Sequence, residues 1–245
     1  MLQWKIGCSG FYYPEWKNIF YPKGLAQRKW FEYYCQHFST VELNVTFYRF
    51  PRLMALQSWY DRSPSDFVFS VKAPRVITHF KKFKDSKTVL TEFYAVVHDG
   101  LREKAGCILF QFPASFQYDE EILRMMVQLM NKSFDNVLEF RHVSWWNEDV
   151  YKVLTENNIA FCGMSHPSLP DDVIQTTDVL YYRLHGVPVL YGSKYESYAL
   201  QHLKDKISSL ENVNRAYLYF NNTAAGHAIT NAREILEFQP YAESK

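Results

Sequence analysis

Nine polar side chains in this sequence fall near the ends of short apolar runs, where chemistry would need them: Glu42, Asn44, Lys72, Gln111, Glu139, Arg141, Arg183, His185 and Asn221. Glu42 and Asn44 lie in VELNVTFYRFP (41–51). Period-two alternation there puts Leu43, Val45 and Phe47 on one face and Glu42, Asn44 and Thr46 on the other. A carboxylate, an amide and a hydroxyl among β-branched and aromatic residues suit a barrel strand whose polar face converges on a shared mouth. Lys72 closes FVFSVK, Gln111 lies in CILFQF, and Glu139 and Arg141 alternate in VLEFRH. Arg183 and His185 alternate in VLYYRLH, Asn221 ends AYLYFNN, and Ser165 and His166 give a weaker signal after IAFCGM.

Two carboxylates (Glu42, Glu139) face three cations (Lys72, Arg141, Arg183), which leaves one positive charge over if the histidines are neutral. That surplus favours an anionic ligand and argues against a divalent metal, which would add to it. Arg141, Arg183 and Lys72 would anchor the anion by charge-assisted hydrogen bonds. Glu42 or Glu139 would serve as general base and His185 as acid or proton shuttle. A metal set of Glu139, His142 and His185 is the competing arrangement. Alternation puts His142 on the face opposite Glu139 and Arg141, where it would contact a helix or fix a loop, so no metal is expected. No haem, flavin or nicotinamide motif is visible, and no cofactor is expected.

The elements that must position these groups alternate along the chain. Strands are expected at 4–9, 41–51, 67–72, 107–112, 137–142, 159–164, 179–185 and 216–222. Helices are expected at about 25–37, 52–61, 87–103, 119–131, 148–157, 197–210 and 225–238. RVITHFKKFKDS (75–86) reads as a basic loop, and the stretch around Pro167 and Pro170 as turn-like. This βα rhythm in 245 residues predicts a single (β/α)8 barrel, an α/β architecture that typically needs about 250. A doubly wound open sheet is the alternative, but GCSGF lacks the glycine pattern its first turn requires. Barrels bind ligands at the C-terminal ends of their strands, where the polar residues cluster. HGVPVLYGSKYES (185–197) and NNTAAGHA (221–228) look like anion sites, with Thr223 as a candidate helix N-cap. Tyr12, Tyr13, Trp16, Tyr48, Trp145 and Trp146 supply aromatic walls or lid packing.

Composition narrows the classes. The charge is nearly balanced, 27 Lys+Arg against 26 Asp+Glu, so no global field recruits nucleic acid or an anionic membrane. No apolar run approaches the ~20 residues of a membrane span, MLQWKIGCSG lacks a signal-peptide pattern, and a cytoplasmic location is expected. Cys8, Cys35, Cys107 and Cys162 are dispersed, with no CxxC pair, and read as reduced thiols.

The motifs IGCSGFYYPEW, FYP, TVELNVTFYRFP, FVFSVKAPRVITH, ILFQFPASF, VLEFRHVSWW, YYRLHG and YFNN occur in the order found in the YecE-like family, domain of unknown function 72, from about Ile6 to Phe238. The resemblance implies a TIM-type barrel with a polar cleft at the strand C-termini, and no particular reaction. Carried over by position, it adds Tyr48, His79, His142 and Asn222 to the nine residues named above. The chain departs from the family pattern at Cys8, Phe11, Ala114 and Ser165, where Thr, Trp, a second proline and a frequent aspartate stand in the family. Loss of that aspartate further weakens the case for metal chemistry.

The expectation is therefore a hydrolase, lyase or isomerase acting by general acid/base catalysis on a small anionic or polyhydroxylated substrate. A non-catalytic protein holding a nucleotide or nucleic-acid end, through loop aromatics and HFKKFK (79–84), is less favoured. A metal-dependent phosphodiesterase or isomerase is the third class. The sequence sets no oligomeric state.

Overall fold

Eight strands carry the chain around a barrel: β1 (Gln3–Cys8), β2 (Thr40–Leu43), β3 (Val68–Lys72), β4 (Ala105–Gln111), β5 (Asn136–Glu139), β6 (Ala160–Ser165), β7 (Val179–Leu184) and β8 (Arg215–Phe220). Helices α1 (Trp30–Cys35), α2 (Val45–Tyr48), α3 (Leu53–Arg62), α4 (Lys87–Leu101), α5 (Glu120–Leu129), α6 (Glu148–Glu156), α7 (Ser197–Ser208) and α8 (His227–Glu237) alternate with them. The computed structural model describes residues 2–238, so the first residue and 239–245 of the expected 1–245 domain lie outside it. Every strand pairing is parallel and the order is β1-β8-β7-β6-β5-β4-β3-β2, so from β2 to β8 each strand pairs with the next in sequence and β8 pairs with β1. An open doubly wound sheet would reverse its order partway along.

Strands buried on both faces read as near-continuous apolar runs, because one face meets helices and the other the barrel interior. Cys107, Leu109, Val137, Cys162, Val179, Tyr181, Tyr217 and Tyr219 fill the interior as one cluster. The alternate residues, such as Ile108, Phe110, Leu138, Leu180 and Leu218, pack under the helices. Continuing the inward row upward along each strand reaches Glu42, Lys72, Gln111, Glu139 and Arg183. Local signals set the helices. The Asp119 carboxylate accepts the Ile122 N–H at 3.0 Å to start α5, and the Asn147 side chain accepts from Val150 N–H at 3.0 Å to start α6.

Two expectations need correction. The strand expected over 41–51 stops at Leu43: Asn44 is already helical (φ −89°, ψ −17°), and the Thr46 hydroxyl turns back onto the carbonyls of Leu43 (2.9 Å) and Lys72 (2.6 Å). The basic loop contains a π-helical turn, Val76–Phe80, and is pinned by buried Phe83 against Phe110 and Phe112. The stretch between β6 and β7, expected to be turn-like, holds no helix. The Thr176 hydroxyl ties that linker to β6 instead, accepting from Phe161 N–H (2.9 Å) and donating to Ile159 O (2.7 Å).

β1 and β2 share no backbone ladder, and side chains close this seam. The buried Tyr34 hydroxyl accepts the Cys8 N–H at 2.8 Å and donates to Thr40 O at 3.0 Å. Gly7 permits the approach, since a Cβ there would lie 2.3 Å from Thr40 O and 2.9 Å from the hydroxyl. Removing the hydroxyl strands a buried donor and acceptor together. Tyr34→Phe should lower stability by about 1–3 kcal/mol, read as a reduced midpoint in urea denaturation; an unchanged midpoint would show the seam closed by packing alone.

Candidate active site

Arg183, at the top of β7, is 1% exposed and spans the barrel. Its Nη2 donates to Glu42 Oε1 at 2.6 Å, and its Nη1 to Glu139 Oε2 at 2.7 Å. Nη2 also lies 3.4 Å from the Ser9 hydroxyl just past β1. The second Glu42 oxygen accepts from the Tyr181 hydroxyl at 2.7 Å, and the second Glu139 oxygen accepts from Arg141 Nε. Both carboxylates are fully buried with both oxygens occupied. Burial alone would raise the Glu139 carboxyl, but Arg141, Arg183 and Lys72 outweigh it and hold it at about 2. Burial likewise works against the Arg183 charge, and Glu139 and Glu42 more than reverse that.

The network continues from Arg141. Its Nη2 lies 2.9 Å from His185 Nε2, and because a guanidinium only donates, that nitrogen accepts. Burial, then Arg141 and Arg183, push His185 well below the usual histidine range, so the ring is neutral and Nδ1 carries its proton. Asn221 Nδ2 is placed 3.0 Å from Nδ1, and a protonated Nδ1 requires the amide the other way round, with its oxygen toward the ring. His166 stands edge-on to His185 at 5.8 Å, its own pKa lowered by burial and Arg141.

Lys72 differs from its neighbours. It is 9% exposed, and among the described residues its ammonium makes no hydrogen bond or ion pair; it lies over the Phe47 ring, 4.3 Å from the centroid. Burial, then Arg183, lower it to about 8 against the pull of Glu139 and Glu42. His79, half-buried and edge-on to Phe47 at 4.9 Å, is lowered by burial and by Lys72. Gln111 is half-buried with Nε2 on Phe112 O, and Tyr48 stands exposed on α2.

The expected residues therefore separate. Glu42, Lys72, Glu139, Arg141, Arg183, His185 and Asn221 meet in one charged cluster. Arg183, expected to anchor an anion, is instead the buried counter-ion of two carboxylates, with only its Nε left without a partner. Glu42, expected as a base, has neither oxygen free, and Glu139 is too weak a base at about 2. His185, expected as a shuttle, has both nitrogens engaged. Asn222, expected to bind substrate, is buried with Nδ2 on Ser193 O (2.9 Å) and Asn231 Oδ1 (3.1 Å), where it ties the β7 loop to α8. Thr223 makes no side-chain cap: a 3-10 turn (Ala224–Gly226) intervenes and α8 starts after Gly226. His142 fixes a loop as expected, its Nδ1 accepting the Ser144 N–H at 3.2 Å. Among the described residues no group of three or more His, Cys, Asp or Glu could hold a metal ion. Tyr181 and Ser9 were not singled out from the sequence. Tyr181 lies two residues before Arg183 on β7, so alternation along that strand carries the signal.

Asn44 lines a groove of about 510 Å³ beside the seam, walled by Phe11, Tyr12, Phe31 and Trp59, with Arg28 and Arg62 at its edge. Its Oδ1 is buried there without a partner. Arg62 is held by Glu32, Nη2 to Oε2 at 2.9 Å.

A parallel eight-stranded barrel with its polar side chains gathered at the strand C-termini defines a TIM-type protein, and comparison with known proteins is specific beyond that. The family model "Protein of unknown function DUF72" matches residues 5–242, and the chain belongs to this family. It is similar to the UPF0759 protein YunF of Bacillus subtilis, 26% identical over 95% of this chain and 93% of that protein. It is also similar to the UPF0759 protein YecE of Escherichia coli, 29% identical over 45% of this chain and 38% of that one. A DUF72 family protein from Thermotoga maritima superposes with a TM-score of 0.85 at 29% identity, covering 96% of this chain and 98% of that one. One from Enterococcus faecalis superposes at 0.80 with 18% identity, covering 98% and 97%. Among the described residues no helix is long and apolar enough to cross a membrane.

Glu139→Gln leaves two guanidinium groups short of a partner and should cost about 3–5 kcal/mol of stability in chemical denaturation. The pH dependence follows from the depressed folded-state value. The Glu139 contribution is complete above its ordinary value of 4.5 and disappears as pH falls through about 2. Lys72 has the opposite dependence. Folding lowers its pKa from 10.5 to about 8, so the unfolded chain holds the proton more tightly and stability rises with pH across that interval. The stability advantage of Lys72→Met over the parent should accordingly shrink between about pH 7 and about pH 10 in paired urea titrations; a constant difference would place Lys72 in a water-like environment.

Proposed function

We propose that this barrel is an enzyme acting on a small anionic substrate at the C-terminal mouth, with Arg141 as the anion anchor and Lys72 as the group that moves a proton. The observation that carries the reading is the distribution of charge. Arg183 is consumed by two carboxylates, Arg141 completes a neutral set of four, and Lys72 remains as an unpaired cation beside it. Arg141 commits Nε to Glu139 and Nη2 to His185, which leaves Nη1 without a protein acceptor. A guanidinium braced on two sides, with one edge free, loses little freedom on binding a carboxylate or phosphate oxygen.

Glu139 and His185 then act as positioning residues. Glu139 keeps the Arg141 plane oriented, and His185, neutral and backed by Asn221, holds Nη2 without adding charge. Proton transfer is most efficient when the catalytic pKa lies near the working pH, and Lys72 at about 8 lies close to neutrality. Residues at the opening that hydrogen-bond, His79, Gln111 and His166, suit a substrate that also bears hydroxyl groups.

Calorimetric titration with inorganic phosphate and with a sugar phosphate tests the reading. Saturable binding should weaken at least about tenfold, ~1.4 kcal/mol, in Arg141→Gln. Turnover of a responding substrate should be lost in Lys72→Met with binding largely kept. Absence of anion binding to the parent protein would overturn the reading.

A further inference from the structure

We infer that Lys72 is a covalent nucleophile, and that the substrate is a small carbonyl compound carrying a carboxylate or phosphate, which forms an imine with the Lys72 Nζ. This rests on the Arg141 anion site of the reading above and gives the Lys72 amine a covalent role in place of the proton transfer assigned to it there. The amine stands at the last residue of β3, with its backbone carbonyl bound by the Thr46 hydroxyl at 2.6 Å, so its stem leaves from a fixed point. It has no carboxylate partner to hold it protonated, unlike the Lys104 ammonium, which is held by Tyr60 O (2.7 Å), Ser63 O (3.0 Å) and Ser63 Oγ (2.9 Å). A lysine becomes nucleophilic when it is desolvated beside other cations, and both conditions meet here.

The groups that act on it come from several elements: Arg183 on β7 and Arg141 after β5 disfavour its charge, while Glu139 on β5 and Glu42 on β2 favour it. His79, on the π-helical turn, and His185, after β7, both have lowered pKa values. The resulting ammonium titrates at about 8, so a usable fraction is the free amine near neutrality. Its lone pair attacks the carbonyl carbon, the carbonyl oxygen takes a proton to give a carbinolamine, and loss of that oxygen as water leaves the C=N bond. The balance is amine plus carbonyl to imine plus water, with no oxidant or reductant. The protonated imine then withdraws electrons from the adjacent carbon, the step that a lyase or isomerase of this substrate class requires. Arg141 Nη1 would hold the anionic group of the same molecule, which selects 2-oxo acids and phosphorylated aldehydes or ketones over neutral carbonyl compounds.

Incubation of the native protein with pyruvate or with dihydroxyacetone phosphate, each with sodium cyanoborohydride, followed by peptide mass mapping, reads this directly. Hydride addition to the imine carbon fixes the adduct as a secondary amine. At about pH 7 Lys72 should be modified on the order of a hundredfold faster than exposed lysines such as Lys23 and Lys87, and its rate should level off above about pH 8. Inorganic phosphate should slow the modification, and Arg141→Gln should slow it as well. The probe that reacts faster distinguishes a carboxylate from a phosphate substrate. Adducts spread over surface lysines with Lys72 unmodified would overturn the inference. If phosphate still binds in an Arg141-dependent way in that case, the anion-site reading survives alone; if phosphate does not bind, both fall. Rapid modification of Lys72 that neither phosphate nor Arg141→Gln affects would overturn the anionic assignment. The site of modification and the phosphate competition are both read on unaltered protein, so failure of Arg141→Gln to fold does not decide the outcome.

Discussion

The guanidinium of Arg183, held between Glu42 and Glu139, is the interaction around which the mouth of this barrel is arranged. Three charges with almost no contact with water are tolerable only because each is matched at close range. Matching one arginine to two acids leaves a negative surplus, which Arg141 cancels through Glu139. Outside that balance lie one edge of Arg141 and the amine of Lys72. The carboxylates, although they are the most conspicuous groups in the sequence, act here as the floor on which the two cations stand.

The barrel supplies the positions. Alternation along parallel strands sends Tyr181 and Arg183, or Val137 and Glu139, into the same interior, so an apolar lower filling passes into a charged upper one without any change in backbone. Desolvation is what makes the arrangement useful. A lysine in water would stay protonated well above neutrality, and the same side chain over Phe47 beside Arg183 does not.

Much of this was legible in the sequence. The βα rhythm, the eight strands and the convergence of Glu42, Lys72, Glu139, Arg141, Arg183 and His185 all follow from periodicity and from where polar residues end apolar runs. Strand ends were less legible, because alternation does not announce its own end: Val45 and Phe47 continue the period, yet the backbone has turned helical at Asn44. The pairing of charges was illegible for a different reason. Counting three cations against two acids gives the correct surplus, but which cation remains free depends on distances across the barrel, so Arg183 read as a binding group and Lys72 as one among equals. Asn222 shows the limit of adjacency, since its neighbour Asn221 braces His185 while its own amide faces the other way, toward Asn231.

The seam between the first two strands gives the charge cluster a mechanical meaning. Elsewhere the cylinder is stitched by backbone ladders; here the Tyr34 hydroxyl fastens it from the helix side, while Arg183, reaching both Glu42 and Ser9, fastens it from within. The hoop is thus completed by two side chains, one of them ionic. Of the two acids beneath the mouth, Glu42 is the one that lies at this seam, so its charge serves both the electrostatic balance and the closure of the hoop.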